Sequence, residues 1–102
     1  GMPNLLDERA FTSTKTKNDN GYNQMAELME KLAKEQRGFL GVESARNEIG
    51  ITVSYWKDLE SIKNWKVNTD HLLAQQKGIE SWYENYTVRI ALVEREYSFE
   101  KL

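Results

Sequence analysis

The stretch from Gly38 to Trp56, GFLGVESARNEIGITVSYW, constrains the fold more than any other part of the chain. Two strand-like runs, Phe39–Arg46 and the β-branched and aromatic Gly50–Trp56, flank the short polar link Asn47, Glu48, Ile49, and this is the pattern of a β-hairpin. Side chains alternate across a strand. Ile51, Val53 and Tyr55 therefore share one face of the second run, and Thr52, Ser54 and Trp56 share the other. An isolated hairpin is marginal in water and needs further strands or a packed helix. The flanking sequence supplies both.

Upstream, ERAFTSTKT from Glu8 to Thr16 suits a strand, and the cluster NDNG from Asn18 to Gly21 suits a turn that supplies a helix N-cap. Tyr22, Met25, Ala26, Met29, Leu32, Ala33 and Gln36 then recur at spacings of three and four, the stripe of a helix burying one face. Gly38, just after Arg37, suits the stop of that helix. Residues 2–7, with Pro3, read as a loose lead-in, and Gly1 before Met2 as a remnant of tag removal.

Downstream, Asp58 is placed to cap a helix that carries Leu59, Ile62, Trp65, Leu72 and Leu73 on its buried side. A break is expected near Asn68–Asp70 and a stop at Gly78, and GIESWYENY holds one more helical turn. The last strand runs from about Tyr86 to Tyr97, with Val88, Ile90 and Leu92 alternating with Arg89, Ala91 and Val93. The order β-α-β-β-α-β is the ferredoxin-like, α+β arrangement, a four-stranded antiparallel sheet with helices on one face. Both faces of the last strand are largely apolar, so the face away from the helices wants cover. A second copy of the chain, packed sheet against sheet about a two-fold axis, covers it most economically. A homodimer is expected.

A chain of 102 residues is expected to form one domain. The net charge is −2, with 14 basic and 16 acidic residues interspersed, so the basic stripe of a nucleic-acid binder is missing. No apolar run approaches the roughly 20 residues of a membrane span, and no signal-peptide pattern opens the chain. There is no cysteine, which removes disulfides and thiolate chemistry and suits a reducing cytoplasm. A single histidine does not make a metal site, and no metal is expected.

The runs GFLGVESAR and GITVSYW, the helix with Trp65 in IKNWK and His71 in DHLLAQ, and the strand VRIALVEREY resemble the antibiotic biosynthesis monooxygenase family of dimeric α+β barrel proteins. The likeness covers nearly the whole chain. It implies three branches: oxygenation of electron-rich aromatics such as quinols and anthrones without any cofactor, haem degradation, and ligand binding without known catalysis. The haem enzymes use an asparagine in the first strand, a tryptophan in the second helix and a histidine about ten residues beyond it. Trp65 fits the tryptophan, but Thr12, Ser13 or Thr14 stands where the asparagine belongs, and Gln75 stands ten residues past Trp65. His71 comes four residues early, about 40° around the helix and roughly one turn back. Haem degradation is therefore the weakest of the three.

Cofactor-free oxygenation asks for a base, donors for a developing oxyanion and an apolar pocket. The expected catalytic group is His71 as base, the one side chain with an ordinary pKa near neutrality, together with Trp65 and Asn64. Arg89, a charge in an apolar strand, suits a substrate oxyanion, or else a pairing with Glu43 or Glu94. Trp56, Tyr55, Thr12, Ser54 and Tyr86, with Trp82 and Tyr83, are expected to line a flat aromatic pocket, although core or dimer-interface packing explains the aromatic residues equally well, the interface above all for Trp56 at the end of its strand. The function expected is a cofactor-independent monooxygenase of a small quinol, anthrone or polyketide-like aromatic. The alternative is a non-catalytic dimer that binds a small ligand.

Overall fold

The computed structural model describes residues 6–76 and 81–102 and the backbone of residues 79 and 80. Along the chain run β1 (Leu6–Lys15), α1 (Tyr22–Lys34), β2 (Phe39–Arg46), β3 (Gly50–Trp56), α2 (Leu59–Ala74), the single turn α3 (Ile79–Trp82) and β4 (Tyr83–Val93). The four strands form one antiparallel sheet in the order β2-β3-β1-β4, as a ferredoxin-like fold requires. The hairpin has the expected bounds, with Arg46 opposite Gly50 and Val42 opposite Ser54.

Strand parity and register decide which side chains meet the helices. Trp56 and Ser54 point into the core beneath α2, which fixes their face of β3 as the helix face. On β1, Arg9 lies opposite Ser54, Phe11 opposite Thr52 and Ser13 opposite Gly50, so these three share that face. On β4, Tyr86, Val88 and Ile90 lie opposite Ser13, Phe11 and Arg9 and complete it. The open face carries the other parity, including Ala10, Thr12, Val53, Tyr55 and Arg89.

The core is a tryptophan pair. Trp56 is wholly buried, and its ring centroid lies 5.9 Å from that of Trp65 on α2 and 5.4 Å from that of Phe39, which meets it edge-on. Ile62 and Ala33 close the cluster, with Met29 and Leu32 against it. Each such large apolar side chain contributes about 1.5–3 kcal/mol on burial. Asp58 caps α2 as expected, its carboxylate accepting from Ser61 N–H at 2.8 Å and from Ser61 Oγ at 2.6 Å.

Several expectations are corrected. The strand β1 begins at Leu6, inside the expected lead-in, whereas Pro3 and Gly78 fall outside the described residues. α2 runs unbroken through Asn68–Asp70, because the polar side chains there bond back along the helix: Asn68 Nδ2 donates to the Asn64 carbonyl at 3.0 Å and Thr69 Oγ1 to the Lys66 carbonyl at 2.9 Å. Leu59 is exposed in the first turn of α2, and Ser61 and Thr69 take places on its buried side. No side chain caps α1. Gly21 occupies the cap in the left-handed region at φ 84° beneath Trp82, whose indole N–H donates to the Asn20 carbonyl at 2.7 Å. β4 ends at Val93, and the following residues run on exposed. Among the described residues no helix is long and apolar enough to cross a membrane.

Candidate functional site

α1 packs on β2 and α2 on β3, which leaves the helix-facing row of β4 open: Val88 is 39 % and Ile90 47 % exposed. Beside this row sits an aromatic cluster. Phe11 stacks on Tyr86 at 5.3 Å with the rings 20° apart, and it meets Tyr83 edge-on at 5.6 Å. Tyr22 of α1 meets Tyr83 at 5.8 Å and Trp82 at 6.0 Å, both edge-on. The register of β1 and β4 places Phe11 and Tyr86 on one face of the sheet, Tyr83 opens β4 against both, and Trp82, the last residue of α3, meets Tyr22.

Cations border the cluster. Lys15 Nζ lies 4.2 Å from the centroid of the Tyr22 ring, and the Arg46 guanidinium lies 5.6 Å from the same centroid. Arg46 also donates to the buried Ser13 hydroxyl and, at 3.4 Å, to the Ser13 carbonyl. Burial pushes the Tyr83 phenol well above its ordinary pKa, reinforced by the neighbouring Tyr22 and only partly opposed by Arg46. Tyr83 is thus a neutral phenol, hydrogen-bonded to the Tyr22 hydroxyl.

One step along the same face, the Arg9 guanidinium lies 5.7 Å from the Phe11 ring centroid. Its backbone carbonyl accepts from Ser54 Oγ at 3.5 Å. The guanidinium itself makes no hydrogen bond and no ion pair among the described residues. Burial lowers its pKa, and the charge of Asp70 offsets this only in part. Asp70 is itself paired with Lys66 at 2.6 Å.

The residues singled out from the sequence fall in four places. Tyr86 joins the aromatic cluster. Trp65, Trp56 and Ser54 are core, and Trp56 Nε1 donates to Ser54 Oγ. Thr12, Tyr55 and Arg89 lie on the open face, where the Tyr55 hydroxyl donates to Glu43 at 3.3 Å. Asn64 and His71 lie on an exposed ridge of α2 with Asn68 and Gln75; His71 Nε2 is 3.3 Å from Gln75 Nε2, and Asn68 donates to Gln36 at 3.3 Å. His71 and Arg89 are therefore not brought together. No group of His, Asp and Glu suited to a metal occurs among the described residues. Arg9, Phe11, Tyr22 and Arg46 are the residues the sequence reading passed over. For Arg9 a signal existed, since Arg9, Phe11 and Ser13 alternate along one face of the strand and set a charge beside an aromatic ring.

The protein YqjZ of Bacillus subtilis, itself described as uncharacterised, is 48 % identical over 93 residues, covering 89 % of this chain and 82 % of that one. The chain belongs to the YqjZ family. No family profile matches it. Among solved structures, a proposed antibiotic biosynthesis monooxygenase from Nitrosomonas europaea superposes with a TM-score of 0.67 at 11 % identity, over 95 % of each chain. A second, from Bordetella bronchiseptica, gives 0.64 at 15 % identity, over 94 % of this chain and 100 % of that one. A Shewanella oneidensis protein gives 0.72 at 7 % identity, over 91 % and 95 %. The fold of this YqjZ-family member is thus that of the antibiotic biosynthesis monooxygenases.

Proposed function

We propose that the chain is a cofactor-independent monooxygenase of small electron-rich aromatics, acting as a cytoplasmic homodimer. The observation that carries this reading is the aromatic cluster of Phe11, Tyr83 and Tyr86, open along β4 on the helix side of a fold shared with proposed monooxygenases. Such chemistry needs little from the protein. A deprotonated substrate passes an electron to dioxygen; in an anthrone one oxygen atom replaces the two hydrogens of the ring CH2 as a carbonyl, in a quinol one oxygen atom enters a ring C–H as hydroxyl while the two quinol hydroxyls become carbonyls, and in both the other oxygen atom leaves as water. No external reductant enters that balance. The chain contributes an apolar, aromatic surface and the neutral Tyr83 hydroxyl beside a developing oxyanion.

Dimerisation is supported by the open face, where Glu43, Val53, Ala10 and Arg89 form one lateral row across the four strands. The cysteine-free sequence suits a reducing cytoplasm. The exposed ridge position of His71 favours a second reading, a dimeric ligand-binding protein without turnover.

Oxygen uptake by metal-stripped protein against a panel of quinols and anthrones decides between the two. Protein-dependent uptake supports the oxygenase, and its absence across the panel supports the binding protein. Running His71→Ala alongside locates the base. A tenfold fall, about 1.4 kcal/mol of transition-state stabilisation, puts His71 in the proton transfer. Unchanged uptake assigns substrate ionisation to groups on the sheet side.

A further inference from the structure

Arg9 occupies the middle of β1, an interior strand with β3 on one side and β4 on the other. Its side chain cannot leave the sheet laterally, and α2 lies above the neighbouring strand. A guanidinium carries five donors in a rigid fork and is almost never taken out of water without an acceptor. Here it has a ring face, Phe11 at 5.7 Å, and no acceptor among the described residues. The carboxylate whose charge acts on the guanidinium, Asp70, is engaged with Lys66. The proposed dimer does not supply the missing acceptor, since it uses the opposite face of the sheet. What remains open to solvent beside Arg9 is the row of β4, with Ile90 directly opposite Arg9 and Val88 opposite Phe11.

A half-buried cation with no acceptor among the described residues, set next to an open apolar shelf, is the arrangement that recognises an anion with a hydrophobic body. We propose that Arg9 is the anion-binding residue of this site, and that its ligand is a planar aromatic bearing a delocalised oxyanion, a phenolate or carboxylate, whose ring lies along Val88 and Ile90. This deepens the oxygenase reading and rests on it for the aromatic character of the ligand. The demand for negative charge stands on Arg9 itself. For a phenolic substrate the consequence is chemical, because a site that favours phenolate over phenol holds the electron-rich form that gives an electron to dioxygen.

The test is a calorimetric titration under nitrogen, at neutral pH and low salt, with 1-naphthoate and its neutral isostere 1-naphthamide. The proteins are the wild type, Arg9→Met and Arg9→Lys, each also followed by thermal melting. The wild type should prefer the carboxylate at least tenfold. Arg9→Met should lose that preference while keeping its amide affinity, and it should melt above the wild type, because a half-buried charge without an ion-pair partner has been replaced by an apolar chain of similar length. Arg9→Lys should fold and retain a reduced preference, since it keeps the charge without the fork. The assignment is overturned if the wild type shows no preference, if neither probe binds at millimolar concentration, or if Arg9→Met keeps the preference or melts lower. Where Arg9→Met fails to fold, an undiminished preference in Arg9→Lys overturns it. The oxygenase reading fails separately: anion-selective binding with no oxygen uptake on quinols would leave the role of Arg9 intact and remove the turnover.

Discussion

The indole N–H of Trp56 donates to Ser54 Oγ at 2.9 Å, so two side chains on the same face of β3 satisfy one another inside the core. Trp56 is 0 % and Ser54 5 % exposed, which leaves the indole no bulk water to turn to. The pair lets the largest side chain of the core sit fully buried without an unmet donor.

Ser54→Ala removes that acceptor and strands a buried donor. It should cost about 1–3 kcal/mol, more than the loss of an exposed serine hydroxyl. Equilibrium unfolding in urea reads this directly. A variant with an unchanged midpoint would mean that the indole finds another acceptor.

Gly38 and Gly21 both lie in the left-handed region, at φ 86° and 84°, but their surroundings differ. A Cβ at Gly38 would come within 2.8 Å of Ser61 Cβ, at the point where the Gly38 carbonyl accepts from Lys57 N–H at 2.7 Å. A Cβ at Gly21 would meet nothing closer than the Trp82 ring at 3.4 Å. Alanine at either site meets the left-handed penalty of roughly 1–2 kcal/mol, and Gly38→Ala adds the clash with α2. Thermal melts should therefore rank wild type, Gly21→Ala and Gly38→Ala in descending order, and the reverse order of the two variants would contradict this account.

Acid should loosen the start of α2. The hydrogen bonds from Ser61 Oγ and N–H hold the Asp58 carboxyl below its ordinary pKa of 3.8. A carboxyl whose folded pKa is depressed contributes stability that is complete above its unfolded pKa and is lost as pH falls through the folded value. The melting temperature of Asp58→Ala should accordingly lie below that of the wild type at neutral pH. The gap should narrow once the pH drops beneath the carboxylate range. A gap that stays constant with pH would show that the ionised form is not what binds Ser61.

The elements themselves were legible because their signals are local. The hairpin bounds, the cap at Asp58, the extra turn before β4 and the inward turn of Trp65 follow from alternation, spacing and capping chemistry, whereas alternation alone does not say which face of β3 meets the helices, and Trp56, expected at an interface, lies in the core. The candidate site was not legible in the same way. Whether Arg9 and Phe11 face the helices depends on the register of β1 against β3, a relation between residues more than forty positions apart. The register of β1 against β4 puts Arg89 on the opposite face from Arg9, beside Ala10. His71 had the right chemistry, but its ridge on α2 is set by Trp65 and Thr69 turning inward.

That register also makes a prediction about assembly. Glu43 on β2, Val53 on β3, Ala10 on β1 and Arg89 on β4 lie in one row across the open face, negative at one edge and positive at the other. Two such sheets packed about a two-fold axis parallel to the strands bring the β2 edge of one over the β4 edge of its mate. Each Glu43 then meets an Arg89 across the interface, and the apolar middle of both rows is buried. Light scattering should give about twice the 11.9 kDa chain mass. Arg89→Glu and Glu43→Arg should each weaken the dimer at least tenfold, about 1.4 kcal/mol, by placing like charges together. The double exchange restores opposite charges and should recover most of the loss, which separates a pairing across subunits from a general effect of surface charge. A double variant as weak as either single one would exclude this alignment of the sheets.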